Sequence, residues 1–237
     1  MENTTNNQNV FELAITLGKA LKQDARLVRM ENARKAYEED PTLKTLMTNN
    51  HSYKTSYDAT KSLYKYTDCQ NSGGKISSFY SGTAIGPGWG EGGSWNREHT
   101  WPNSKGLGGS DENDIMMLRP TATSENSSRG NKTYGTRSGN YDPGVSVRGD
   151  CARMMLYMHV RWGTNLTSLI ESVDLMLQWM KEDPVDTWEM ARNDSVQSIT
   201  GTRNVFVDYP ELVFELFEAE VPANYDTPSG SAKNVAF

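Results

Sequence analysis

Apolar side chains at Val10, Leu13, Ala14, Leu17, Ala20 and Leu21 recur at the three- and four-residue spacing of one helical face, and Leu27, Met30, Ala33 and Tyr37 continue the stripe. Asp40 then reads as an N-cap and Pro41 as the first residue of a third short helix, "PTLKTLMTN". An N-cap carboxylate accepts from the free amides of the first turn, and proline's missing N–H costs nothing there. The pattern predicts a helical hairpin over residues 8–48. From 49 to 94 the texture changes to Tyr, Thr, Ser and Gly. Gly-rich runs "NSGGK" and "GPGWGEGG" break the chain, and "KISSFYSGTAI" between them has the β-favouring, partly alternating character of a strand. Further on, "DCARMMLYMHVRWG" reads as a buried amphipathic helix, "LTSLIESVDLMLQWMKED" as another and "YPELVFELFEA" as a terminal one. The expected organisation is a helical appendage over 1–48, a main α+β domain over 49–220 and a loose tail over 221–237.

The 237 residues, 36% hydrophobic and 23% charged, suffice for a sizeable core. They hold no apolar run near the roughly 20 residues needed to span a bilayer, so a soluble protein is expected. "MENTTNNQNV" has no basic stretch leading into an apolar one, so no secretory signal is expected there. Two cysteines, Cys69 and Cys151, cannot build a tetrahedral zinc site without help from the three scattered histidines. A single disulfide and two reduced thiols both fit that count.

A net charge of -6 argues at first against a polyanionic partner. The average conceals an asymmetry. Residues 94–161 carry nine Lys/Arg against seven Asp/Glu, whereas 171–220 carry three against twelve. The former is the stretch least hostile to an anionic substrate, and it holds the chemistry.

Within it, "WNREHTWPNSKG" sets Glu98 and His99 side by side between Trp95 and Trp101, and "LRPTATSENSSRGNKTYG" supplies Asn126, Arg129 and Asn131. Phosphodiester hydrolysis needs a base for water, charge compensation on the non-bridging oxygens and help for the departing 3′ oxygen. A neutral imidazole takes a proton at physiological pH, and a hard divalent cation held by carboxylate and amide oxygens stabilises the rest. Adjacent residues at a strand end point apart, so Glu98 can ligate while His99 acts as base. Arg129 offers a planar fork of donors against developing phosphoryl charge.

These residues in this order resemble the bacterial endonuclease I family, non-specific nucleases of the ββα-metal (His-Me finger) superfamily. The shared pattern is Glu98-His99, Pro102, Leu118-Arg119-Pro120, Asn126-x-x-Arg129-x-Asn131 and Gly135. It continues in "RGDCARMMLYMHVRW" and "ARNDSVQSITGTRNVFVDYPELV", so the resemblance covers about residues 52–217. It implies a ββα-metal nuclease core surrounded by helices, with Glu98 and Asn126 holding one Mg²⁺ (Mn²⁺ or Ca²⁺ as substitutes), His99 as general base and Arg129 on the scissile phosphate. It further implies nucleic acid, DNA and alternatively RNA, as the substrate, with 5′-phosphate products and weak sequence preference. Family members are typically exported, which implies an extracellular or periplasmic site of action and would permit a Cys69–Cys151 disulfide. The chain departs from the family at Met116 and Met117, where His or Asn is usual, and at Thr202, where Asn is common. The 8–48 segment is similar, on its amphipathic pattern, to small helical competence and biofilm regulators, and self-association through it is an alternative role.

Each residue also has a plainer reading. Glu98 could pair with Arg97, Asn126 could cap a helix and Arg129 could serve a structural ion pair. His159 reads as a core histidine, His51 as a linker residue, Asp150 as an N-cap, and Trp95 and Trp101 as core. Arg203, Asn204 and Asp208 read as a lock on the C-terminal elements. The alternative to an enzyme is a catalytically inactive nuclease-like module that binds nucleic acid or a protein partner.

Overall fold

A computed structural model describes residues 55–69, 75–86, 88 and 93–217, all within a unit spanning 42–232. The hairpin expected over 8–48, His51 and the tail expected over 221–237 lie outside the described residues. The described part is a mixed α+β structure of short antiparallel strand pairs and helices. Among the described residues no helix is long and apolar enough to cross a membrane.

Helix α1 (Thr60–Thr67) leads into a segment expected as one strand, and the structure makes it a hairpin. Strand β1 (Ile76–Ser77) pairs antiparallel with β2 (Ala84–Ile85). Gly82 adopts φ 67, a conformation open to glycine, and its N–H donates to the Ser78 carbonyl at 2.8 Å, so the chain reverses where the alternation looked continuous. Ser78 and Phe79 then dock this hairpin on the next sheet: Phe79 N–H donates to the Pro120 carbonyl at 2.9 Å, and the Ser78 hydroxyl accepts from Ala122 N–H and donates to Glu125.

That sheet is the antiparallel pair β3 (Trp95–His99) and β4 (Leu118–Ala122), with Trp95 opposite Ala122, Glu98 opposite Arg119 and His99 opposite Leu118. Helix α2 (Thr123–Arg129) follows β4 directly and packs back on both strands. Trp95 and Trp101 are fully buried, as expected of core residues, and the Trp95 ring meets Tyr64 of α1 edge-on at 5.8 Å. Such a contact is worth about 0.5–1.5 kcal/mol beyond burial itself.

Helix α3 (Arg148–Trp162) runs through the core against α4 (Val173–Glu182). Its first turn starts before Asp150, because Cys151 N–H already donates to the Val147 carbonyl, so Asp150 is no N-cap and instead accepts from Arg153 at 3.0 Å. Gly163, at φ 70, ends it. The helix expected from residue 166 begins only at Val173, capped by the Ser172 hydroxyl, since Ile170 is held extended in a bridge to Tyr134. Helix α5 (Thr187–Thr200), capped by Asp186, went unread in the sequence. Helices α6 (Val205–Asp208) and α7 (Glu211–Leu216) follow, the last within the expected 209–219.

Buried ion pairs stitch these elements together. Arg192 of α5 donates to Asp68 beyond α1 at 2.9 Å and to the Ile115 carbonyl at 2.7 Å. Arg203 joins Asp208 and Asp194 while Asn204 caps α6, which is the C-terminal lock expected of that group. His159 Nδ1 bonds the Thr164 carbonyl at 2.6 Å, as a structural histidine does. Both cysteines are free thiols, Cys151 buried and Cys69 half-buried.

Candidate active site

Because side chains alternate along a strand, β3 sends Glu98 to one face and His99 to the other. Glu98 is 3% exposed and faces inward. Its Oε1 accepts from the Tyr80 hydroxyl at 2.9 Å and lies 3.3 Å from Arg129 Nε. Tyr80 arrives there because the β1–β2 hairpin docks on β4, and its hydroxyl also meets that of buried Tyr134 at 2.9 Å. Sequence reasoning missed both tyrosines. Burial pushes the Glu98 carboxyl up to about 7, with the Arg129 charge and the Tyr80 hydrogen bond opposing it.

Arg129, at the end of α2, is fully buried. It donates to the Thr100 carbonyl at 2.7 Å and to the Gly130 carbonyl at 2.6 Å, and its guanidinium lies over the Tyr134 ring at 4.7 Å. The structure thus joins Glu98 to Arg129, while Arg97 goes to Asp58 at 3.8 Å. Asn126 stands three residues before Arg129, on the same side of α2, half-buried; it occupies the helix interior and not a cap.

His99 is half-buried on the opposite face. Its Nε2 lies 3.0 Å from the Glu112 carbonyl. A carbonyl only accepts, so Nε2 carries the proton and Nδ1 the lone pair. Burial holds the imidazole below its ordinary value, which keeps it neutral and able to accept a proton near pH 7. The turn carrying Glu112 is itself fixed from α3. Buried Asp114 accepts from Tyr157 at 3.0 Å and Trp162 at 2.8 Å, and pairs with Arg161 at 3.0 Å.

The departures at Met116 and Met117 fall in the core between this turn and β4, both nearly or fully buried, and Thr202 is buried too. The surplus of cations over 94–161 is largely internal: Arg119, Arg129, Arg153 and Arg161 are buried against acids.

Among the described residues no three or more His, Cys, Asp or Glu gather as a metal cage. Glu98 and Asn126 carry the carboxylate and amide oxygens that a hard cation takes. Mg²⁺ characteristically takes one or two carboxylate or amide oxygens and completes its shell with water and phosphate.

The Endonuclease I family model matches residues 35–141 and 136–211, starting inside the segment read as an appendage. The extracellular ribonucleases of Bacillus amyloliquefaciens and of Bacillus subtilis (strain 168) are each 34% identical over 157 residues, covering 53% of this chain and 54% of the relative. The chain therefore spans about half the length of the curated relatives it matches. With matched segments covering most of its length and including every residue of the site, the chain belongs to the endonuclease I family.

Proposed function

We propose that the protein is a metal-dependent endonuclease of the ββα-metal type that hydrolyses phosphodiester bonds with little sequence preference. The observation that carries this reading is the splayed pair on β3: Glu98 turned toward α2 and Arg129, and His99 turned away with Nε2 tied to a carbonyl. The β3–β4–α2 succession supports the ββα-metal architecture. DNA and RNA are both substrates in this reading, the latter supported by the extracellular ribonuclease relatives, whose name also supports action outside the cell.

Glu98 and Asn126 would hold Mg²⁺, which supplies positive charge to the phosphate and to the departing 3′ oxygen. His99 Nδ1 accepts a proton from water, and the resulting hydroxide attacks phosphorus as the P–O3′ bond breaks, leaving a 5′-phosphate and a 3′ alkoxide that takes a proton from solvent to become the 3′-hydroxyl. The Glu112 carbonyl stabilises the imidazolium that forms. Arg129 offsets phosphoryl charge from a guanidinium held in place by Glu98 and the Thr100 carbonyl.

Plasmid DNA and ribosomal RNA incubated with wild type and His99→Ala, with Mg²⁺ and with EDTA, test this. Wild type is expected to cut both only with Mg²⁺, and His99→Ala to be slower by about 10²–10⁴-fold. Equal cutting by the two, or none by wild type, overturns the reading. The enclosure of Glu98 favours one alternative, a catalytically inactive module that binds nucleic acid or a protein partner, and absence of cutting by wild type would support it.

A further inference from the structure

The segment entering α1 bears on the site through three side chains that the reaction above does not use. Thr55 Oγ1 donates to the Asn113 carbonyl at 2.7 Å, one residue beyond the carbonyl that holds His99. The Tyr57 ring lies on the His99 imidazole, centroids 5.1 Å apart and planes 23° from parallel. The Arg97 guanidinium carbon sits 3.5 Å from the centre of the same ring, and Arg97 Nη1 donates to the Tyr57 carbonyl at 2.5 Å. Asp58 completes the clamp at 3.8 Å from Arg97.

Arg97 and His99 are two apart on β3 and share a face, so one tyrosine ring spans both. A single hydrogen bond at Nε2 leaves the imidazole free to swing about that bond, carrying Nδ1 out of line. A flat ring laid on the imidazole removes that freedom. The arrangement is also wasteful as mere packing, because Tyr57 stays 38% exposed while three separate contacts tie its ring and carbonyl to His99 and Arg97.

Resting on the reading of His99 as general base, we propose that Tyr57 is a positioning residue: clamped by Arg97 and anchored through Thr55, its ring fixes the imidazole so that Nδ1 faces the attacking water. The phenolic hydroxyl plays no part in this, and the ring plays all of it.

Three variants test the proposal: Tyr57→Leu, Tyr57→Phe and Thr55→Val. Steady-state cleavage of a fluorogenic oligonucleotide separates kcat from KM. Loss of the ring in Tyr57→Leu is expected to lower kcat about ten- to a hundredfold with KM changed less than about twofold, and Tyr57→Phe to restore kcat to within about twofold of wild type. NMR of the His99 ring protons supplies a second readout that does not depend on cutting. The upfield ring-current shift is expected in wild type and Tyr57→Phe and absent in Tyr57→Leu. The proposal is overturned if Tyr57→Leu keeps wild-type kcat, if only KM rises, which would mark a surface for stacking bases, or if Tyr57→Phe is as impaired as Tyr57→Leu. Should Tyr57→Leu fail to fold, Thr55→Val decides: a lower kcat at unchanged KM supports the clamp and a wild-type kcat removes it. If His99→Ala cuts as well as wild type, the nuclease reading itself fails, and the ring-proton spectra still report whether Tyr57 holds His99.

Discussion

Arg129 Nε stands 3.3 Å from the Glu98 carboxylate, with neither side chain more than 3% exposed. Two opposite charges enclosed in this way depend on each other unequally. Arg129 has the Thr100 and Gly130 carbonyls and the Tyr134 ring to fall back on, whereas Glu98 has the single Tyr80 hydroxyl beside its cation.

Removing the cation should therefore hurt more than neutralising the acid. Arg129→Ala leaves a buried carboxylate uncompensated and is expected to cost about 3–5 kcal/mol. Glu98→Gln keeps the shape and an acceptor for Tyr80 and is expected to cost about 1–2 kcal/mol. Urea unfolding of the two variants compares them directly. Equal losses would mean the pair does not carry the stability of the β3–α2 junction.

Glu98, His99, Asn126 and Arg129 stood out in the sequence because they are residue types the proposed reaction needs, in an order that resembles the endonuclease I family, and the structure joins Glu98 to Arg129. Their roles in the fold were less legible. Tyr80 reaches Glu98 from 18 residues away and Tyr134 reaches Tyr80 from 54, and a contact between distant residues leaves no periodic trace. The helices α3 and α4 showed through their apolar stripes, but α5 did not, since its buried face includes Glu189, Arg192 and Asn193, which read as surface. The strand expected over 75–85 failed at Gly82, whose turn is set by backbone conformation and not by side-chain alternation. The local basic surplus marked the stretch least hostile to an anionic substrate, but four of its arginines turn inward to paired acids.

In the proposed metal site Tyr80 should matter although it is not one of the proposed ligands. Its hydroxyl fixes the orientation of the Glu98 carboxylate, and partners that orient a ligand commonly contribute about 10–100-fold in affinity. Isothermal titration with Mg²⁺ is expected to show weakening in that range for Tyr80→Phe and at least as much for Asn126→Ala. Unchanged affinity in Asn126→Ala would remove it from the metal site.

Stability should fall as pH rises through neutrality, and Glu189 should be one cause. Burial, reinforced by the like charge of Asp150, pushes its carboxyl from the ordinary 4.5 up to about 8, against the pull of Arg153. Between those values the folded protein holds a proton that the unfolded chain has released, so stability declines as pH rises from about 4.5 to about 8. The Asp183 carboxyl, which burial also pushes up, and Glu98, pushed up to about 7, remain in the variant, so Glu189→Gln should flatten the decline without abolishing it. Melting temperatures at pH 5 and pH 8 for both proteins test this. An identical decline in the variant would exonerate Glu189.

Gly149 and Gly163 bracket α3 and should respond differently to alanine. At Gly149 an added methyl would lie 1.9 Å from the Asp183 carbonyl oxygen and 2.9 Å from Arg153 Nη1, where the end of α4 is pressed against the start of α3. The Asp183 carboxylate also accepts from Gly149 N–H at 2.9 Å, so the two helices cannot part without losing that bond. At Gly163 the methyl meets nothing within 4 Å, and only the left-handed backbone at φ 70 resists it. Gly163→Ala is therefore expected to cost about 1–2 kcal/mol, and Gly149→Ala about 3 kcal/mol or more because backbone, not a flexible side chain, must move. Denaturant titrations of the two single variants give the comparison. A Gly149→Ala protein as stable as Gly163→Ala would show that the α3–α4 junction yields more readily than its contacts imply.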